Sequence, residues 1–417
     1  MSLINHIQVF EHQRLIVGEN GFQKNHLNAL LKLNEYHDFK YFEAIPNGIK
    51  FKQYVGIIQV NGLSIEILPK ADKNDANENW QAVLLQMLQA CGRISASTTG
   101  DAHVNRQHLN LLEVYFDMYL QEIDSLLRQG LVKKYHVVSA NLNNLKGRID
   151  FAKNIQKNIV HQERFYTTHQ VYNTMHFMHE VLWKALQIIA QFSRGTTLND
   201  RVRRTLMAFP EQQNSKISRQ QLDSIKLNRQ TYKYEKSLGL ARLIILNYSP
   251  DISHGQEKMI SLLFDMNNLW EEYIFVKLSE VLQNTNYSII GQDYKTFIGF
   301  NSLKPDIVIR HQKTGETYVI DTKWKIPNNI ANVADLRQIY TYARFWNAQK
   351  VMLLYPGNQT NNEFVYFNNE EYLVDGTTIR HQAKLGFVSV LDKMNNLDSS
   401  IAQNVLSLLI PHEQMSQ

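Results

Sequence analysis

The stretch that most constrains how this chain can fold lies in its last third, at residues 303–325. Two runs there alternate between apolar and polar residues: DIVIR at 306–310 and YVIDTKW at 318–324. The connection between them, QKTGE at 312–316, is polar and contains a glycine, which is typical of a turn. The sequence therefore predicts an antiparallel β-hairpin whose apolar side chains face a core.

Charged residues occur inside this otherwise apolar hairpin. Successive side chains of a strand point to opposite faces, so Asp321 and Lys323 are expected to share one face while Thr322 points away. Asp306 begins the neighbouring strand, where strand pairing would bring its carboxylate beside Asp321. Charges within an apolar strand are costly unless they are paired or used. These three charged side chains are therefore the candidate functional residues.

Two carboxylates and one ammonium group at a strand end suit a metal-dependent phosphodiesterase. Mg²⁺ prefers oxygen ligands and is commonly held by one or two carboxylates together with substrate phosphate. Such a metal lowers the pKa of a bound water, and a nearby lysine stabilises the negative charge of the transition state. The alternative is a surface hairpin with ordinary charges, and the residue pattern alone leaves both readings open.

Several short motifs, taken together, resemble those of one protein family. PD at 305–306 followed by DTK at 321–323 resembles the PD-(D/E)xK nuclease signature. LLFDMNNLWEEYI at 262–274 resembles the helix that opens the nuclease domain of McrC proteins, with Trp270 where phenylalanine is usual. VGIIQV at 55–60 and IEILPK at 65–70 resemble a second hallmark of that family. By their order and spacing, the chain resembles the McrC family, the nuclease subunits of McrBC modification-dependent restriction systems.

The resemblance implies a role for each charged residue. Asp306 and Asp321 would be ligands of Mg²⁺, and Lys323 would be the catalytic lysine. Glu271 matches the glutamate that such nucleases often place on their first helix, where it completes the metal shell. Glu272 is the competitor one residue further on, and the sequence does not separate the two.

A further motif, QIYTY at 338–342, resembles the QxxxY helix of the RecB-like branch of the same nucleases. Gln338 and Tyr342 are four residues apart and therefore lie on one face of a helix. Their implied role is to contact the DNA backbone or to support the catalytic site. Packing within the helix is the alternative, and the sequence favours neither.

The resemblance also implies partners. McrC proteins work with McrB, an AAA+ GTPase that forms a hexameric ring, and the double-stranded DNA they cut carries modified, methylcytosine-type bases. The chain itself contains no GxxxxGK[ST] loop and no GxGxxG fingerprint, so we expect it to bind no nucleotide cofactor. Its implied activity is a Mg²⁺-dependent endonuclease that stimulates the GTPase of its partner.

Fold class and domains follow from the changing period of apolar residues. A mixed α/β fold is expected, with a β-rich region at 1–75 and a mainly helical region at 76–250. The resemblance implies that residues 251–417 form a PD-(D/E)xK restriction-endonuclease-like domain. By resemblance, the first two regions together form the half that docks on the motor. Within these regions, residues 169–192 and 259–282 are each predicted to form one long helix.

Bulk properties exclude several classes of protein. A single cysteine, Cys91, rules out an internal disulfide framework and predicts a reducing, cytoplasmic location. It also argues against a self-sufficient RecB-like nuclease with an iron–sulfur cluster, which needs four cysteines. No apolar run is long enough to span a bilayer, so no membrane partner is expected. A net charge of +5 permits DNA binding without requiring it. A non-cleaving adaptor that activates the motor and only grips DNA remains the alternative function.

Overall fold

The computed structural model describes most of the chain, and it divides the chain into two compact units. The first unit is drawn from residues 2–108 and 263–417, and the second from residues 109–262. The described residues are 5–60, 62–70, 80–94, 110–213, 217–250, 258–325, 331–359, 363–367, 371–372, 378–379 and 381–410.

The N-terminal part of the first unit is rich in β-structure, as predicted. Its elements are β1 (Asn5–Phe10), β2 (Arg14–Ile16), α1 (Lys24–Tyr36), β3 (Phe42–Ile45), β4 (Gly48–Phe51), β5 (Tyr54–Val60), β6 (Leu63–Leu68) and α2 (Trp80–Ala90). β6 pairs in parallel with β1 and in antiparallel with β5, while β4 lies between β2 and β3. Every residue of β6 is buried, because β6 lies between two strands and α2 packs against it. Asn61, between β5 and β6, lies outside the described residues.

The C-terminal part of the first unit is built on a mixed six-stranded sheet. The strands of this part of the chain, in the sheet and outside it, are β12 (Tyr287–Gly291), β13 (Lys295–Ile298), β14 (Asn301–Leu303), β15 (Ile307–His311), β16 (Thr317–Thr322), β17 (Lys350–Pro356), β18 (Val365–Tyr366), β19 (Glu371–Tyr372), β20 (Thr378–Ile379) and β21 (Gln382–Val388). The sheet order is β12-β15-β16-β17-β21-β18, and β13–β14 and β19–β20 are separate two-stranded ribbons. β15 and β16 pair in antiparallel, so the predicted hairpin is confirmed.

Three helices cover this sheet: α9 (Met266–Leu282), α10 (Val333–Trp346) and α11 (Ile401–Leu409). α10 packs on β16 and β17, and α9 packs against β12, α11 and α2. The core beneath α10 is apolar, with Val319, Ile339 and Leu353 fully buried. This packing fixes the ends of β15 and β16 against one face of α10. The mixed α/β class is therefore confirmed.

The predicted helix at 259–282 was wrong in its first part. Lys258–Asp265 is a strand, β11, and the helix begins only at Met266. A short apolar run fits either structure by its periodicity alone, and tertiary pairing decides between them. Here residues 258–260 pair with β10 (Tyr248–Pro250), and the side chain of Asp265 then caps α9 by accepting the amide of Asn267 at 2.9 Å.

The second unit is mainly helical, but it carries a long hairpin. Its elements are α3 (Leu111–Gln129), β7 (Lys134–Leu142), β8 (Arg148–Ile149), α4 (Phe151–Asn158), β9 (Phe165–Asn173), α5 (Phe177–Phe192), α6 (Asn199–Ala208), α7 (Arg219–Asp223), a 3₁₀ turn (Tyr232–Tyr234), α8 (Glu235–Leu246), β10 and the first part of β11. α5 packs on α6 and α8, and α3 packs on the same two helices.

The helix predicted at 169–192 was also wrong at its start. Residues up to Asn173 belong to β9, which pairs with β7 along its whole length, and the helix begins at Phe177. Cross-strand pairing with a partner some thirty residues away overrode the local helical spacing, as tertiary context commonly does. The side chain of His176 then caps the helix by accepting the amide of Met178 at 3.1 Å.

The two compact units do not follow the predicted division along the chain. The N-terminal region lies in the same unit as the C-terminal sheet, although it was grouped with the helical region as one docking half. That grouping concerned function and stays a prediction. Among the helices in the described part of the chain, none has both the length and the apolarity that crossing a bilayer requires.

Candidate active site

Asp306 and Asp321 lie at the adjoining ends of β15 and β16. The register pairs Ile307 with Ile320, so one further step places Asp306 opposite Asp321. Asp321 is the penultimate residue of β16 and is only 1% exposed. Directly opposite residues in an antiparallel pair have neighbouring side chains, so the hairpin brings the two carboxylates together as the sequence predicted.

Thr322 contacts the site, although it was expected to point away from it. Its amide donates to Oδ2 of Asp306 at 2.6 Å, and its hydroxyl donates to the same oxygen at 2.8 Å. The amide of Lys323 donates in the other direction, to the carbonyl of Leu354 on β17. Successive amides of a strand face opposite neighbours, so Thr322 presents its amide towards β15. Thr322 therefore holds the carboxylate of Asp306 in place.

Lys323 lies just beyond the end of β16 and turns its ammonium group into the site. Its Nζ is 2.6 Å from Oδ2 of Asp321, forming an ion pair. Nζ also donates to Oε1 of Gln338 at 3.1 Å. The side chain of Lys323 is 22% exposed, so the charged group remains within reach of solvent or substrate. The structure thus joins Asp306, Asp321 and Lys323 in one cluster.

Gln338 and Tyr342 connect this cluster to the segment before Asp306. Nε2 of Gln338 donates to the hydroxyl of Tyr342 at 2.9 Å, and that hydroxyl donates to the carbonyl of Lys304 at 3.0 Å. This series of hydrogen bonds therefore links Lys323, after the end of β16, to Lys304, before the start of β15. Of the roles considered for this helical pair, the geometry favours support of the site.

Glu271 and Glu272 face different surroundings, although the sequence could not separate them. Glu272 forms an ion pair with Arg93, at 2.6 Å between Oε2 and Nη2. Glu271 instead accepts a hydrogen bond from Gln292 at 2.7 Å, and the amide of Gln292 donates to the carbonyl of Asp306 at 2.8 Å. Glu271 is therefore the glutamate that lies on the side of the candidate site.

The electrostatics of the cluster reflect buried like charges. Burial, followed by the negative charge of Asp306, raises the pKa of Asp321 to about 7. Burial also raises the pKa of Asp306, and burial with the charge of Asp306 raises that of Glu271. Burial alone would lower the pKa of Lys323, but the charge and hydrogen bond of Asp321, together with the charges of Asp306 and Asp335, outweigh burial and raise that pKa. The site therefore favours a cation next to its carboxylates.

The donor set fits Mg²⁺ with few protein ligands. Asp306 and Asp321 supply adjacent carboxylates, and Oδ2 of Asp321 is buried without a regular hydrogen bond. Within the described ranges, however, no three His, Cys, Asp or Glu side chains are grouped so that they hold a metal together. Mg²⁺ is commonly bound by one or two carboxylates with water and phosphate completing its shell, so two carboxylates suffice. Glu271 is close enough for the charge of Asp306 to raise its pKa, and its role as a further ligand stays a prediction.

Sequence reasoning missed Glu11, which is buried behind the site. Nε1 of Trp324 donates to Oε1 of Glu11 at 2.6 Å, and the amide of Lys70 donates to the same oxygen at 2.9 Å. Burial raises the pKa of Glu11 to about 7, even though the hydrogen bond from Trp324 lowers it. Glu11 lies more than three hundred residues before Trp324 in the chain, so no local pattern could have paired them.

Comparison with known proteins identifies the family. The sequence profile described as McrBC 5-methylcytosine restriction system component matches residues 49–356, which is most of the chain. The chain therefore belongs to the McrBC family of restriction system components, and the resemblance drawn from its motifs is confirmed. No curated protein sequence matches this chain.

A similar fold is found in a solved structure. One chain of the refined half-complex from a tetradecameric assembly of Thermococcus gammatolerans McrB AAA+ hexamers with bound McrC is similar, with a TM-score of 0.67 and 18% identity. The similarity covers 96% of this chain and 98% of that one. A chain of the Thermococcus gammatolerans McrBC complex, 20% identical, covers 66% of this chain and 88% of its own, with a TM-score of 0.49.

Proposed function

We propose that this protein is the DNA-cutting subunit of its restriction system, with a PD-(D/E)xK nuclease domain in its C-terminal region. One observation carries the proposal: Asp306, Asp321 and Lys323 meet at the adjoining ends of β15 and β16. Membership of the McrBC family and the antiparallel hairpin beneath α10 support it. The reaction is hydrolysis of a phosphodiester bond in double-stranded DNA that carries modified cytosine.

Each residue of the cluster has a separate task in this reaction. Asp306 and Asp321 hold Mg²⁺, which when bound polarises the phosphate and lowers the pKa of a bound water. Thr322 orients Asp306 through two hydrogen bonds, so this carboxylate needs no rearrangement. Lys323 places a positive charge where negative charge develops on the phosphate, and Gln338 keeps its ammonium group in position.

The chain is also proposed to dock on an AAA+ GTPase. Apart from family membership, the support is an exposed apolar surface on the second unit, since large exposed apolar patches mark interaction sites. Within it, Phe151 and Ile155 of α4 are 71% and 63% exposed, and Val160 is 82% exposed. The structure described for Thermococcus gammatolerans contains McrB AAA+ hexamers with bound McrC, and a hexamer of that class is the partner proposed here.

The proposal is tested by purifying the chain with the neighbouring AAA+ GTPase and supplying GTP and Mg²⁺. We expect a plasmid carrying methylated cytosine to be linearised, while the same plasmid without methylation stays intact. Both DNA cutting and GTP hydrolysis are measured in the same reactions. Stimulated GTP hydrolysis without any cutting would instead identify the chain as a non-cleaving adaptor.

A pair of neighbouring variants tests which glutamate serves the site. Glu271→Gln is expected to slow cutting about tenfold, since side chains that support a metal site typically matter by 10–100-fold. Glu272→Gln is the matched control, because its carboxylate is engaged by Arg93 instead. Its cutting rate is expected to stay within about twofold of wild type, a small effect of the kind usual for exposed ion pairs. Equal loss in both variants, measured by single-turnover cleavage, would remove Glu271 from the assignment.

A further inference from the structure

A two-stranded ribbon next to the candidate active site exposes an unusual set of apolar side chains. It consists of β13 and β14, which pair in antiparallel around a turn at Gly299 and Phe300. Phe300 is fully exposed, and Ile298 is 67% exposed. Tyr294, just before β13, is 72% exposed, and Phe297, next to Ile298, is 51% exposed. Apolar groups of this size are rarely left together in water without a binding partner.

Lys295 and Phe297 fix the ribbon to α10, while Ile298 and Phe300 at its tip are exposed. Nζ of Lys295 donates to the carbonyl of Phe345 at 2.6 Å and lies 5.1 Å from the ring centre of Trp346. The rings of Phe297 and Phe345 pack edge to face, with centroids 5.5 Å apart. The ribbon is thus anchored to the C-terminal end of α10, the helix that also carries Gln338 and Tyr342. It is a positioned element with an exposed tip.

The ribbon directly precedes Asp306 in the sequence, and this position indicates which ligand it contacts. Only Lys304 and Pro305 separate the end of β14 from Asp306, a span of about 10 Å at most. The carbonyl of Lys304 is fixed by Tyr342, so the ribbon and the carboxylate share one support. Any duplex cut at Asp306 and Asp321 would therefore pass within reach of the ribbon.

The charge and chemistry of the ribbon fit DNA. From residue 294 to residue 305 it carries Lys295 and Lys304 and no acidic residue. Its tip offers Phe300 and Ile298, and apolar side chains of these types act as wedges that part neighbouring base pairs in DNA-bending proteins. Exposed aromatic rings also stack on unpaired bases without regard to sequence.

We propose that the tip of this ribbon, Ile298 and Phe300, inserts between base pairs of the duplex beside the bond to be cut. The inference rests on the proposed nuclease function, because that function places DNA at Asp306 and Asp321. The insertion bends the duplex and presents the scissile phosphate to the carboxylates. It reads no particular base, since every base step offers an apolar face.

The test uses the full chain and a 30-base-pair duplex in which several adenines are replaced by 2-aminopurine. Ca²⁺ replaces Mg²⁺ so that the duplex stays whole. Binding is followed by anisotropy of an end label, and unstacking of bases by the rise of 2-aminopurine fluorescence. The wild-type chain is expected to raise this fluorescence. Phe300→Ser is expected to abolish most of the rise and to weaken binding about tenfold, as loss of one stacking contact does.

Met394→Ser is the matched control, since Met394 is another exposed apolar side chain of the same unit, 80% exposed, outside the ribbon. It is expected to change neither signal. No fluorescence rise with the wild-type chain, or an equal rise with Phe300→Ser, overturns the proposal. So does a fall in molar mass of Phe300→Ser by light scattering with unchanged fluorescence, because the ribbon would then be a contact between two copies.

The test of base-pair insertion can fail independently of the test of DNA cutting. Asp321→Ala removes a carboxylate of the site but leaves the ribbon intact, and it is used only in the cutting assay, where it is expected to abolish cutting. If Asp321→Ala still cut methylated DNA, the nuclease assignment would fail while the fluorescence result stood. If cutting were lost as expected and Phe300→Ser unstacked bases like the wild type, only the ribbon proposal would fail.

Discussion

Asp321→Asn and Lys323→Met are each expected to reduce DNA cutting about a thousandfold or more while the chain stays folded. Asp321 is buried beside Asp306, and an amide in its place keeps the shape of the side chain but loses the charge that holds a divalent ion. Lys323→Met keeps the length of the side chain and removes its cation. Losing one group that stabilises transition-state charge typically lowers the rate by 10²–10³, and losing a metal ligand is expected to cost at least as much.

The thermal unfolding midpoint of each variant shows whether lost cutting comes from lost catalysis or from unfolding. Burial and the charge of Asp306 raise the pKa of Asp321 to about 7, so the ionised carboxylate is held in the fold at a cost. Asp321→Asn removes that cost, and we expect its thermal unfolding midpoint at pH 8 to equal or exceed that of wild type. The midpoints are measured by calorimetry, beside single-turnover cleavage of methylated DNA.

Lys313→Met is the matched control for Lys323→Met, because Lys313 is an exposed lysine in the connection between the same two strands. It is expected to cut DNA as the wild type does. Undiminished cutting by both Asp321→Asn and Lys323→Met would reject the site assignment. Stimulation of the partner GTPase should persist in both variants, since neither residue lies on the second unit.

The second large effect is expected at Glu11. Glu11→Ala leaves the indole N–H of Trp324 and the amide of Lys70 without their acceptor, and Glu11 itself is only 4% exposed. Buried donors left unpaired cost about 1–3 kcal/mol each, so we expect the first unit to lose about 2–4 kcal/mol of unfolding free energy. Because Trp324 directly follows Lys323, cutting should slow as well. Urea unfolding followed by tryptophan fluorescence measures the first effect.

Glu11→Gln is the matched control, since its amide oxygen can accept both hydrogen bonds without a charge. The pKa of Glu11 rises from 4.5 to about 7, mainly through burial and further through the charge of Asp265, so the folded state prefers the protonated form. The stability that this preference contributes is fully present below pH 4.5 and is lost as the pH rises through about 7. The change amounts to about 3 kcal/mol.

We therefore expect wild-type stability to fall between pH 5 and pH 8 more steeply than that of Glu11→Gln. The other ionisable groups facing Glu11 are Asp265 and His12, and Nε2 of His12 lies 3.8 Å from Oε2 of Glu11. Burial lowers the pKa of His12. Parallel pH profiles in the two proteins would show that Glu11 is not the titrating group.

Local pattern was a good guide wherever neighbouring residues determine the structure. The hairpin of β15 and β16 was predicted from two runs rich in apolar residues and the polar turn between them, and the two strands pair in antiparallel. The same pattern misled at residues 259–265 and 169–173, where apolar spacing suggested helix and the chain forms strands. Residues 169–173 pair with residues 134–138, which lie outside a local window of sequence, whereas residues 258–260 pair with the nearby β10.

Contacts between distant segments were beyond the reach of sequence reasoning. The difference between Glu271 and Glu272 depends on Gln292 and Arg93, which lie on other elements of the fold. The role of Thr322 depends on which strand its amide faces. Glu11 carries no motif at all, and only the packing of the N-terminal region on the C-terminal sheet brings it to Trp324.

The sequence by itself determined the family, the mixed α/β class and the three charged residues of the hairpin, because alternation and residue type act over a few neighbouring positions. The tertiary structure alone decided how those charges are held. Thr322 donates hydrogen bonds to Asp306, and a series of hydrogen bonds runs from Lys323 through Gln338 to Tyr342. The buried carboxylate of Glu11 accepts a hydrogen bond from Trp324. Such contacts depend on distances through space between segments far apart in the chain, and these distances are set only when the strands and helices pack.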